Sequence, residues 1–260
     1  MNDIQIRPIL GKYIIKGKIF LKTGTRVGGS DLGISIGGID NPIIRNPLNG
    51  EPYVPGSSLK GKMRSLLERL YKMPLQAYGT GRNAVKRHEC TSKDCKICRL
   101  FGSSPRNEGD RANIPSRLIV RDAHLTMESK QMLETMETDV PYAEWKSENS
   151  LDRVTCHASP RSAERVPAGT EFEFELIYTA EDENHINEDL ENIIKALELI
   201  EDDYIGSSGS RGYGKVEFKI EQLLFKSEDY YTGKGAQVKE AKVSGKALSQ
   251  IKEELVKLRG

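Results

Sequence analysis

Cysteine is scarce, with four among 260 residues, and a chain of this length can build a core that stands without disulfides. The opening segment MNDIQIRPIL lacks the basic-then-apolar layout of a secretion signal, so the thiols are expected to stay reduced. No apolar run approaches the length of a membrane span, which predicts a cytoplasmic protein with no membrane contact. Charge of one sign is also missing. A formal net charge of +1 is too small for whole-molecule attraction to a polyanion.

That small total hides an asymmetry. Residues 181–203 carry ten acids and one base, Lys195, and read as the solvated face of a helix. Residues 58–72 carry five bases (Lys60, Lys62, Arg64, Arg69, Lys72) against Glu68. A phosphate backbone responds to the local field rather than to the sum, so this basic segment is a candidate for binding nucleic acid.

Hydrophobic spacing gives the elements. Residues 13–22 (YIIKGKIFLK) are rich in β-branched and aromatic residues and predict a strand, followed over 23–57 by a long loop system. Pro55, Gly56, Ser57 and Ser58 precede Leu59, Met63, Leu66, Leu67 and Leu70 at helical spacing, which predicts a helix over 58–72. Strands are expected at 117–123 and at 171–178, where Phe172, Phe174, Leu176 and Tyr178 share a face. A helix with one apolar stripe (Ile186 to Ile200), a Gly/Ser-rich loop at 206–214 and a strand KVEFKI follow. The tail from about 245 reads as a basic amphipathic helix. Without its insertions, the order is β-α-β-β-α-β. The expected class is therefore α+β, with a ferredoxin-like (RRM-like) core. That plan serves many unrelated functions.

The sharpest local signal is His88-x-Cys90-x4-Cys95-x2-Cys98. Four soft or borderline donors within eleven residues suit one tetrahedral Zn²⁺. With every position taken by protein, the site should be structural, stapling a loop too polar to fold alone. Cys156 is left over, and nothing around it forms a nucleophile pattern.

Two stretches have the spacing of a nucleotide-binding P-loop, Gly56-SSLK-Gly61-Lys62 and Gly209-SRGY-Gly214-Lys215. The motif needs Ser or Thr next, and here Met63 and Val216 follow, so ATP or GTP hydrolysis is excluded. The same residues suit another phosphate. A helix start offers free N–H groups, Ser57 and Ser58 add hydroxyls, Gly61 permits close approach, and Lys60, Lys62 and Arg64 supply charge. The loop around Gly209, Ser210, Arg211, Gly212, Tyr213 and Lys215 repeats the recipe, with Tyr213 available to stack on a base or sugar.

Four blocks together, TGTRVGGS with GGIDNPIIRNP, PGSSLKGKMRSLLE, ENSLDRVTCHASPRSAERV and DYIGSSGSRGYGKV, resemble the RAMP superfamily of CRISPR proteins. Within it they are most similar to the repeated backbone subunit of the type III-A (Csm) effector. The resemblance implies a single RAMP-type domain over 1–260, with a palm core drawn from about 10–72, 117–123 and 171–222. It further implies a thumb hairpin at about 124–170, while the zinc cluster, not a feature of every relative, sits in an insertion at about 74–116 that varies across the family, and the basic helix closes the chain at about 245–258. It implies copies stacked along a guide (CRISPR) RNA beside other Csm-complex subunits, cutting a complementary target RNA where each thumb kinks the duplex. Guide phosphates would meet Arg26, Ser57, Ser58, Lys60, Lys62, Arg64 and the loop around Arg211. Base pairing, rather than the protein, would read sequence. The family's cleavage residue corresponds to Asp40, acting with Mg²⁺ or another divalent ion.

From chemistry alone Asp40 is an ordinary turn residue, and Asp31, Asp122 and Asp152 compete with it. Two rival readings stay open at this level. One is a stand-alone, metal-independent CRISPR RNA-processing endoribonuclease using His124 or His157. The other is a non-catalytic, zinc-stabilised RNA-binding scaffold.

Overall fold

The computed structural model describes residues 7–28, 42–79, 81, 84–105, 113–138, 140–235 and 237–258. Alternating side chains build its centre. In β1 (Gly11–Leu21) every odd residue from Gly11 to Leu21 is buried, while the even positions are only partly covered. β9 (Glu171–Ala180) and β10 (Val216–Ser227) flank β1 on either side, both antiparallel. At the β1–β10 bulge, a Cβ on Gly17 would lie 2.2 Å from the Lys219 carbonyl oxygen, so the strands can close only around glycine.

The sheet runs β11-β10-β1-β9-β6-β2, with β11 (Lys239–Lys242), β6 (Ala123–Leu125) and β2 (Tyr53–Val54), and β5 (Leu118–Val120) also pairs with β9. Its pairings are all antiparallel. One face carries phenylalanines and aliphatics. The other carries a lattice of pairs, among them Lys16–Glu175 at 3.4 Å and Lys219–Glu171 at 2.7 Å.

Two helices are the principal cover of the apolar face. α1 (Gly56–Leu70) buries Leu59, Met63, Leu66 and Leu67, and α4 (Ile186–Asp202) buries Ile186, Leu190, Ile193, Ile194, Leu197 and Ile200. The final helix, α6 (Leu248–Lys257), buries Leu248, Ile251 and Leu255 and packs on α4 and β10. The single strand expected over 117–123 is divided into β5 and β6. Asp122 lies between them and accepts the Gly56 N–H at 2.7 Å, capping the start of α1.

Three segments stand apart from the sheet. A small hairpin of β3 (Gln76–Tyr78) and β4 (Val85–Arg87) leads to α2 (Lys96–Phe101). α3 (Met127–Thr135) starts with Thr126 accepting the Ser129 N–H at 3.1 Å. A ribbon of β7 (Glu144–Leu151) and β8 (Ala158–Arg165) pairs only with itself in the described residues and exposes Leu151 and Val154 near its tip.

A buried ionic knot binds the α2 segment to this body. The fully buried Asp189 of α4 accepts Arg99 Nε at 2.7 Å, Arg117 Nη1 at 3.1 Å and the Tyr178 hydroxyl at 2.9 Å. Burial, then the Asp189 carboxylate, pushes the Tyr178 hydroxyl well above its ordinary value, so it remains a donor. Arg99 also donates to the Asp94 carbonyl at 2.6 Å and pairs with Glu188. Removing the carboxylate would strand two arginines. Asp189→Ala is expected to lower unfolding free energy by roughly 3–5 kcal/mol in denaturant titration.

Candidate functional site

The glycine-rich loop is built onto the end of β1. The Arg26 carbonyl accepts the Ser207 N–H at 2.9 Å, and the Arg26 guanidinium reaches Ser207 Oγ at 3.3 Å. The Gly24 carbonyl accepts the Gly214 N–H at 3.2 Å. Gly214 has φ +76, and a Cβ there would lie 2.1 Å from the Ile205 carbonyl oxygen. Arg26 Nε is buried without a hydrogen-bond partner among the described residues. Segments 181 residues apart in sequence thus meet at one cation-bearing corner through Arg26 and Ser207.

The β7–β8 ribbon joins this corner through Glu148. That carboxylate accepts the Tyr213 hydroxyl at 2.8 Å and Arg161 Nη2 at 2.9 Å, and lies 3.7 Å from Arg211 Nε. The Tyr213 hydrogen bond, aided by Arg161 and Arg211, holds Glu148 below the ordinary carboxylate range. Arg211 has a side chain 51% exposed, and Ser210, Gly212 and Lys215 are exposed as well. Tyr213 is not. It is 2% exposed, between Lys146 and Arg165, each 5.0 Å from its ring centre. The expected stacking of Tyr213 on a base is therefore corrected. Its ring is taken up by the ribbon's cations, and it serves as a joint.

Helix α1 presents Ser57, Gly61 and Ser65, one turn apart, on an exposed strip, and Gly61 faces open space. Its cations are engaged. Lys60 Nζ donates to Ser116 Oγ and the Leu118 carbonyl, both at 2.8 Å, and burial, then Arg64, lowers its amine below the ordinary value. Lys62 pairs with Asp203 at 2.8 Å and lies 3.6 Å from the Tyr204 ring centre, which ties α1 to the segment preceding the glycine-rich loop. Arg64 turns inward to Glu68 at 2.8 Å and the Gly102 carbonyl at 3.1 Å. The expectation that Lys60 and Arg64 face phosphate does not match these positions, because neighbouring carbonyls and Glu68 already hold both.

The four metal-ligand candidates do converge. One donor atom each from His88, Cys90, Cys95 and Cys98 lies within 4.8 Å of the others, and none is in a disulfide. Cys90 and Cys98 sulfurs are 3.6 Å apart, and Cys95 Sγ is 3.4 Å from His88 Nε2. The Pro74 carbonyl sits 2.8 Å from His88 Nδ1, which leaves Nε2 free as a ligand. A hydrogen bond from Cys98, chiefly, brings Cys95 down to about 4, while the bond to Cys95 and burial push Cys98 up. The cluster can hold a metal ion such as zinc.

Asp40, the expected cleavage residue, and Asp31 lie outside the described residues. The other carboxylates have structural occupations. Asp122 caps α1, and Asp152 accepts the Thr155 and Val154 N–H groups at the ribbon tip, at 2.7 and 2.9 Å. His124 lies on β6 and His157 beside the ribbon tip, both exposed. Sequence reasoning missed Glu148 and Glu68. The spacing of Arg64 and Glu68, one helical turn apart, was a readable pairing signal; nothing local marks Glu148.

The RAMP superfamily pattern matches residues 18–217. The chain belongs to the RAMP superfamily. Within it, the chain is 42% identical over 236 residues to a Methanothermobacter thermautotrophicus protein named CRISPR system Cms endoribonuclease Csm3, covering 86% of this chain and 91% of that one. A protein of the same name from Methanocaldococcus jannaschii is 40% identical over 258 residues, with 96% and 95% covered. Among solved structures, one of a Csm3–Csm4 subcomplex in the type III-A CRISPR-Cas interference complex aligns with a TM-score of 0.62 at 32% identity, over 96% of this chain and 97% of that chain. In this RAMP protein the described part of the TGTRVGGS block meets the DYIGSSGSRGYGKV block at the Arg26–Ser207 corner, and the PGSSLKGKMRSLLE block lies along α1.

Glu148 provides a pH test of the joint. Its lowered value means a stabilising contribution that is present above the unfolded carboxylate's range and is lost as pH falls through the folded value. Wild type is therefore expected to lose more melting temperature than Glu148→Gln as pH is lowered through the acid range, measured by thermal unfolding at fixed ionic strength.

Proposed function

We propose that this chain is a guide-RNA-binding backbone subunit of a type III-A CRISPR interference complex, cutting complementary target RNA at regular intervals within that ribonucleoprotein. The observation that carries this reading is the corner where Arg26, the glycine-rich loop and the β7–β8 ribbon meet. It sets the exposed Ser210, Gly212 and Lys215 and the half-exposed Arg211 beside the middle of a ribbon that pairs only with itself among the described residues. Relatives named as endoribonucleases at about 40% identity support the activity. The solved Csm3–Csm4 likeness supports assembly with other subunits.

The finer features belong to the same reading. The strand sequence β10-β1-β9-β5, with α1 and α4 on one face, supports a ferredoxin-like palm. The ribbon is its thumb within 124–170, residues 74–116 form the zinc insertion, and 245–258 the closing helix. Copies would stack along the guide in the cytoplasm; no described helix is long and apolar enough to cross a membrane. Guide phosphates would meet Arg26, Ser57, Ser58, Lys62, Gly209, Ser210, Arg211, Gly212 and Lys215. Lys60 and Arg64 would join them only by leaving their internal partners. His88, Cys90, Cys95 and Cys98 would hold Zn²⁺, a soft-donor set with no place for water. Asp40 would act on the target strand with a divalent ion, where a kinked linkage aligns its own 2′-hydroxyl with the scissile phosphate.

Reconstituted complex incubated with guide-complementary RNA and Mg²⁺ is expected to give a regular ladder of cuts. Omitting Mg²⁺ should abolish it, and Asp40→Ala should slow cutting by roughly 100-fold or more while guide binding survives. A ladder that persists in Asp40→Ala would move the chemistry to another carboxylate or subunit. Native mass spectrometry should find one zinc per wild-type chain and none in Cys98→Ser.

A further inference from the structure

Helix α1 faces two ways. Its exposed strip begins at Ser57, while Arg64 and Glu68 turn into the protein with side chains only 16% and 8% exposed. Glu68 Oε1 accepts both Arg64 Nε at 2.8 Å and the His88 N–H at 3.2 Å. Arg64 in turn donates to the His88 carbonyl at 2.5 Å and the Gly102 carbonyl at 3.1 Å. One ion pair therefore grips both backbone polar groups of His88.

The two gripped residues bracket the metal loop. His88 is its first ligand, and Gly102 caps α2, the helix that carries Cys98. With Pro74 fixing the imidazole's other nitrogen, the position and the tautomer of His88 are both set by contacts outside the cluster. The same helix reaches the glycine-rich loop through Lys62, Asp203 and Tyr204. If the loop opened for want of metal, the Arg64 and Glu68 charges would lose partners while still mostly buried, and α1 would have to shift or loosen to rehydrate them.

We propose that Arg64 and Glu68 are positioning residues that clamp the metal loop to α1, so that metal occupancy governs how firmly the chain binds RNA. This rests on the reading of the cluster as a zinc site. Neither residue touches metal or RNA in this scheme. The coupling is mechanical, and it is reciprocal: bound RNA would tighten the hold on zinc by the same factor.

The test uses the full chain and Zn²⁺ in competition with a chromophoric chelator, with no RNA present. Glu68→Gln and Arg64→Lys are each expected to weaken zinc affinity by roughly 10–100-fold, whereas Arg69→Ala on the same helix leaves it unchanged. Arg64→Lys keeps the charge but cannot span both carbonyls, so it carries the test if Glu68→Gln does not fold. A second arm compares single-stranded RNA affinity of zinc-loaded and chelator-stripped wild type, expected to differ by roughly 5–150-fold. If wild type takes up no zinc, the reading of the cluster falls and the clamp with it. If wild type binds zinc and both variants match it, or stripping leaves RNA affinity unchanged, the clamp alone is overturned.

Discussion

The Asp189 carboxylate is the contact on which the remaining geometry rests. It sits with no exposure at the start of α4 and satisfies donors from three other places: Arg99 on α2, Arg117 before β5 and Tyr178 on β9. A polar insertion has little apolar surface with which to dock. Burying two guanidinium groups against one carboxylate is tolerable because both of its oxygens accept hydrogen bonds, and once assembled the arrangement admits little variation. Docking α2 in turn fixes Cys98 and Gly102, and so the far end of the metal loop.

From there the structure transmits position by way of α1. The helix is capped at its start by Asp122, packed along its length against α4, and joined late to the metal loop by Arg64 and Glu68. Lys62 carries it on to the glycine-rich loop. The exposed strip from Ser57 to Ser65 is thus held from the side opposite to its exposed face. Basic residues that look like a phosphate-binding row in one dimension are divided in three. Some face outward, and others hold the row in place.

Much of this was legible in the sequence where one rule governed one segment. Period-two alternation in β1 and β9 and the helical stripes of α1 and α4 stand close to the expected ranges, because burial on one face decides them, while β10 starts where expected but runs on to Ser227. The four metal-ligand candidates were readable for the same reason, since they lie within eleven residues and converge locally. What escaped depended on distant partners. Residues 117–123 break into two strands because Asp122 is drawn to Gly56, a partner 66 positions away. Tyr213 looked available beside glycines and is buried because the ribbon folds over it. The short strands β3, β4 and β11 have too few residues to show a period at all.

The β7–β8 ribbon has a consequence in leverage. Strands of eight residues give an arm of about 27 Å, clasped at its middle, where Glu148 meets Tyr213 and Arg211. With about 10 Å of strand beyond that clasp, a tilt of about 10° there displaces Leu151 by about 2 Å. The position of the exposed Leu151 and Val154 is therefore set less by the tip than by a handful of ionic contacts at the ribbon's middle. Small changes in those contacts would re-aim the tip while every residue exposed on it stayed the same.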